Sequence, residues 1–239
     1  MNKYLSCMLL GTTLSVTQTV LANPASTEYV NQRVNDAINS LTTNLGSEIN
    51  KLINQVNSQR IPFHEVGEHY QGGIIFFVDE SRHHGLIAAL HDANNEEGMQ
   101  WQNGDSGEKI VNARANGMRA GESNTRLIIS QQTIDYQEGN FAALAASNYS
   151  VLADGNSPCA SLVNSSMICY GDWYLPSIYE LTLLQHAFFS LGLDDLKQGS
   201  YWSSSEHDTT QAWLFDGATS TPQLSNKSTH ARVRAIHAF

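Results

Sequence analysis

The chain has 239 residues, 41% of them hydrophobic, which is enough for one sizeable core and one or two domains. Its formal charge is −10, with 13 Lys and Arg against 23 Asp and Glu, which argues against nucleic acid or an anionic membrane as a bulk partner. Beyond Ala22 no run is long and apolar enough to cross a bilayer.

Asn2-Lys3 precedes an uncharged, largely apolar run from Tyr4 to Ala22 that closes on Val20-Leu21-Ala22, the layout of a secretory signal with small residues at the cleavage positions. Residues 1–22 therefore read as a signal peptide. A membrane anchor is the alternative, but the run is diluted by Ser, Thr and Gln. Cleavage would remove Cys7, and losing Lys3 would take the charge from −10 to −11. Cys159 and Cys169 would remain. An even pair in an exported protein reads as a disulfide, and without a His between them they would make a poor zinc site.

From Glu28 to about Gln59 the apolar residues Val30, Val34, Ile38, Leu41, Leu45, Ile49, Leu52 and Val56 are spaced 4-4-3-4-4-3-4 on an otherwise polar, Pro-free stretch. This eleven-residue repeat predicts a straight or slightly right-handed helical assembly. A narrow apolar stripe is not stable alone, so it must meet copies of itself or fold back on the globular part. The reading adopted is a coiled-coil-like stem over residues 23–60, assembling as a parallel homotrimer; a single helix docked on its own domain is the alternative. Arg60-Ile61-Pro62 ends the helix and opens a globular domain over residues 61–239.

In that domain Gly72–Asp79 and His84–Leu90 predict two buried strands of a hairpin. Asp92–Gly107 predicts a polar loop around Trp101, and Lys109–Tyr149 two or three short helices. Ser177 followed by Glu180 is a capping box that starts a helix at Ile178, with Pro176 just outside it. Leu181, Leu184, Phe188 and Leu191 give this helix one apolar stripe, and Gly192 before Leu193 predicts a left-handed C-cap. Tyr201–Glu206, Gln211–Gly217 and the closing HARVRAIHAF predict short strands. The fold class is α+β: short helices packed on an antiparallel sheet whose first and last strands come from the two ends of the domain.

Charge is uneven. Nine acids lie between Glu65 and Glu108 against Arg82 alone, whereas Lys109, Arg114, Arg119 and Arg126 face only Glu122, and Lys227, Arg232 and Arg234 occupy an acid-free C-terminal stretch.

The series Gly67-x-x-Tyr70-x-Gly72-Gly73-IIFFVD, His84-Gly85-LIA, DWYLPSIYEL, YWSSSE, AW.F.G and terminal VRAIHAF resembles the C-terminal domain family of the Legionella collagen-like adhesin, over about Phe63 to Phe239. The order of elements is similar to the wider C-type-lectin-like set of bacterial domains. The resemblance implies a lectin-like head on an exported surface or secreted protein, trimeric and binding sulfated polysaccharide in the founding adhesin. This chain has no Gly-X-Y repeats; the helical stripe takes their place.

The expected function is therefore adhesin-like: a trimeric head that binds extracellular glycan or matrix polysaccharide. A structural surface protein or protein-binding module is the alternative, and a hydrolase a lesser one. Lys227, His230 and Arg232 read as exposed cations for an anionic glycan, with Lys109 and Arg119 as a second basic island and Trp101 as the sugar-stacking ring. Trp202 and Trp213 read as core aromatics, and Arg234 as a residue that neutralises Glu180 or Asp172. His91–Gly98 offers oxygen ligands of the kind calcium takes but without the EF-hand spacing, so a solvated acidic turn is the reading there. No cofactor, metal or catalytic residue is expected. Ser203, Ser204 and Ser205 lack a nucleophile elbow.

Overall fold

The computed structural model describes residues 26–58, 61–93, 97–159, 167–193 and 199–239. The signal-peptide reading and Cys7 lie outside these residues, as do Asn94, Asn95 and Glu96 of the acidic turn. The chain divides into two compact units, Met1–Arg60 and Ile61–Phe239. No helix among the described residues is long and apolar enough to cross a membrane.

Among the described residues of the first unit a helix, α1 (Thr27–Ser58), covers the periodic stretch. Polar side chains inside it are satisfied locally; Thr42 and Thr43 donate back to the carbonyls of Ile38 and Asn39. The apolar stripe is left open, with all eight residues between 48% and 61% exposed.

The second unit is mixed α+β, with three antiparallel sheets among the described residues. The first sheet joins β1 (His69–Tyr70), β2 (Gly73–Val78), β3 (Gly85–Ala89) and β9 (Ile236–Ala238) in the order β1-β2-β3-β9. Successive strand residues point to opposite faces, and here both faces are covered. Ile75 and Ile87 pack with Trp101, Phe141 and Trp202, whereas Ile74, Phe76 and Leu86 pack with Leu181, Leu184 and Phe188. Burial on both sides is why the strands are continuously apolar instead of alternating. Gly85 and Phe239 exchange backbone hydrogen bonds at 3.1 Å, so the chain's end closes against a strand near the domain's beginning.

The second sheet is the meander β6 (Ser200–Glu206), β7 (Gln211–Asp216) and β8 (Thr221–Asn226). It is a separate sheet, and β8 is a strand the sequence pattern does not announce. TPQLSN is almost wholly exposed and carries Pro222, which suits an edge where one ladder donor is dispensable. A third, two-stranded sheet pairs β4 (Val151–Leu152) with β5 (Cys169–Tyr170).

Helix α4 (Ile178–Ser190) has the full capping box: the Glu180 amide donates to Ser177 Oγ at 3.2 Å, and the Ser177 amide to Glu180 Oε2 at 2.8 Å. The same carboxylate reaches across the fold. It accepts from the Arg119 and Gly121 amides at 2.7 and 3.0 Å, at the start of α2 (Ala120–Gln132), so one side chain caps two helices. Burial pushes the Glu180 carboxyl above its ordinary range, against the pull of those amides. At the other end Gly192 has φ +73°, and the Gly192 and Leu193 amides donate to the carbonyls of Phe189 and Phe188, a Schellman closure. Leu181, Leu184 and Phe188 are buried, while Leu191, at the helix's edge, is 38% exposed.

Cys159 and Cys169 form a disulfide with Cα atoms 5.7 Å apart, tying the segment after β4 to β5. Reduction is expected to cost about 2–3 kcal/mol and to lower the melting temperature by several degrees, because the ten-residue separation closes a short loop. Thermal melts with and without reductant check this; an unmoved midpoint would refute it.

Candidate functional site

Three of the cations expected at the surface, Lys227, Lys109 and Arg232, lie against carboxylates. Lys227 is wholly buried and paired with Glu206 at 2.7 Å, each side chain 0% exposed. Its ammonium also donates to the carbonyls of Lys109 and Thr209 at 3.0 Å, and sits 4.7 Å from the centre of the Trp101 ring. Glu206 in turn accepts from the Val111 and Asn112 amides at 2.9 and 2.6 Å. Burial pulls the Lys227 pKa down, and the carboxylate opposes that pull. The expectation that Lys227 is an exposed cation is thus corrected: its three donors are consumed inside the protein.

Trp101 is likewise corrected from an exposed ring to a core one. It is 0% exposed, its indole donates to the Ser203 carbonyl at 2.8 Å, and its backbone amide donates to the Lys227 carbonyl at 2.9 Å. Gln102 and Asn103 beside it are buried and hydrogen-bonded, whereas Gly104, Asp105 and Ser106 are exposed. Trp202 is buried as expected, whereas Trp213 is only partly so.

Arg232 and Arg234 converge on Asp92. Arg234 Nε donates to Asp92 Oδ1 at 2.8 Å, and its Nη1 donates to the Ala89 carbonyl at 3.1 Å, so its counter-ion is neither Glu180 nor Asp172. Arg232 is half-buried, with Nη1 3.7 Å from Asp92 Oδ2. Lys109 pairs with Asp135. Arg119 is exposed at the left-handed residue that precedes α2, φ +62°.

Beside the segment that carries Trp101 lies an open cleft of about 1030 Å³. One wall is the segment 97–104. Met99 and Ala231 exchange backbone hydrogen bonds at 2.9 and 3.0 Å, which places the exposed His230 on the rim. The opposite wall is the loop 136–140, with Tyr136, Glu138 and Asn140. Asn103 ties the walls together: its Nδ2 donates to the carbonyls of Gln132 at 3.0 Å and Tyr136 at 2.6 Å. Gly139 lies flat on that amide; a Cβ there would fall 1.4 Å from Asn103 Oδ1, so no side chain fits. The third side is the C-terminal end of α3 (Ala142–Asn148), where Tyr149 packs edge-on against Trp173 at 5.2 Å. Burial raises the Tyr149 phenol pKa, so it is a neutral hydroxyl at physiological pH.

Of the six residues singled out in the sequence for ligand binding, only His230 lines this cleft. Glu97 lines it too, from the acidic turn 91–98 that the sequence offered as oxygen ligands. Tyr136, Glu138, Asn140 and Tyr149 complete the lining; they belong to no sequence motif, and no spacing points to them. The cleft offers phenol rings, side-chain amides and carboxylates, the groups that stack on and hydrogen-bond a polyhydroxylated ligand.

The serines of β6 hold the fold. Ser205 Oγ accepts from the Ile178 amide at 3.0 Å, Ser203 Oγ donates to the Trp213 carbonyl at 2.6 Å, and Ser204 Oγ accepts from Asn124 at 3.3 Å. Among the described residues no three His, Cys, Asp or Glu side chains converge as metal ligands would. The chain matches none of the protein-family models and none of the curated proteins with which it was compared.

Proposed function

We propose that this is an exported, adhesin-like binding protein: α1 is a coiled-coil-like stem that gathers copies into a homotrimer, and the lectin-like domain is a head that binds an extracellular glycan or matrix polysaccharide. The observation that carries the glycan reading is the cleft, whose walls present Tyr136, half-exposed at 51%, beside the Asn140 amide and the Glu97 and Glu138 carboxylates. The open stripe of α1 supports the assembly, and three weak sites held together bind a repeating polymer by avidity.

The test is a glycan array probed with the mature oligomer, repeated with Tyr136→Ala. Losing one stacking ring is expected to weaken binding roughly tenfold, about 1.4 kcal/mol, with an unchanged circular dichroism spectrum. If the unmodified protein retains no glycan, or the variant binds as well as its parent, the reading is wrong.

A further inference from the structure

The charge of the cleft says which glycans it admits. No Lys or Arg is found among its described lining residues, and His230 alone there could carry positive charge. Glu97 stands on one wall and Glu138 on the other, both exposed to solvent. Among the cations raised by the sequence, Lys227 is paired with Glu206 and Lys109 with Asp135, while Arg232 and Arg234 both converge on Asp92. A ligand filling the cleft lies within about one Debye length, ~8 Å, of the Glu97 and Glu138 carboxylates, so solvent ions do not screen it fully. A sulfate or carboxylate on the sugar meets like charge there. A hydroxyl meets an ionised acceptor, and such charge-assisted bonds are about twice as strong as neutral ones.

We infer that the cleft selects uncharged sugars and rejects polyanions, so the ligand class is a neutral glycan and not a sulfated or uronic-acid polymer. The inference rests on the glycan-binding reading of the same cleft. The carboxylates serve as hydrogen-bond acceptors for vicinal hydroxyls while Tyr136 and Tyr149 offer ring surface, and the two acids filter out ligands of their own sign.

The experiment compares immobilised neutral tetrasaccharides of glucose, galactose, mannose and N-acetylglucosamine with a heparin tetrasaccharide, using the whole mature protein. At least one neutral probe is expected to bind with an affinity that changes less than about twofold from roughly 50 to 500 mM NaCl, and heparin is expected not to bind at about 150 mM salt. The double variant Glu97→Lys/Glu138→Lys, at two exposed positions, is expected to lose about tenfold for the neutral probe and to gain heparin retention. Heparin retention by the unmodified protein, steep salt dependence of the neutral probe, or an unchanged double variant would each overturn the inference. A polyanion bound on the array would sink this inference and leave the glycan reading standing; an array with no bound glycan would sink both.

Discussion

Replacing Lys227 by Met is expected to cost about 3–5 kcal/mol of unfolding free energy, the most damaging single change proposed for the globular unit. The side chain is about the right length, so volume is not the cause. The substitution leaves the Glu206 carboxylate at 0% exposure with the Val111 and Asn112 amides as its remaining donors, and it strips the carbonyls of Lys109 and Thr209 of theirs. An unpaired buried charge costs more than the pair contributes, so the double variant Lys227→Met/Glu206→Leu should recover the share of the loss that comes from the stranded carboxylate, though not the share from the backbone groups left without partners. Urea titrations of the parent, Lys227→Met, Glu206→Leu and the double variant give the coupling directly. A loss below about 1 kcal/mol for Lys227→Met would mean that water or movement relieves Glu206, contrary to the closed geometry.

If α1 assembles copies of the chain as proposed, replacing Ile38 and Ile49 by Asp is expected to turn the oligomer into monomers. Both residues are about half exposed in α1 alone, at 53% and 49%, so an isolated helix would tolerate the change. An assembled stem would not. Each carboxylate would be buried at a layer of the stripe, at a cost of several kcal/mol per ion, repeated in every chain. Light scattering should show the mass falling to that of one chain, while the disulfide and the near-ultraviolet spectrum of the head stay as they were. An unmodified protein that is already monomeric at micromolar concentration would overturn the stem.

The features readable from sequence are those whose partners are close in the chain or whose pattern repeats. The capping box needs only Ser177 and Glu180, three residues apart, and the Gly192 closure uses carbonyls of the preceding turn. The helix over 27–58 follows from an eight-member stripe, the hairpin from two apolar runs, and the disulfide from an even pair ten residues apart. Each is governed by backbone geometry or by a period, and neither depends on the rest of the fold. Tertiary structure decided the rest. Glu180 caps α2 from 59 residues away, Lys227 finds Glu206 across 21 residues, and Trp101 finds Ser203 across 102. A Lys in a polar turn and a Trp in a polar run have the same local sequence whether they face water or each other. Which one holds is settled by the acceptors that distant segments bring, since a charge enters a core only where its donors and acceptors are met. The cleft is of the same kind, built from segments 97–104 and 136–140, the end of α3 and His230, whose nearness no spacing encodes.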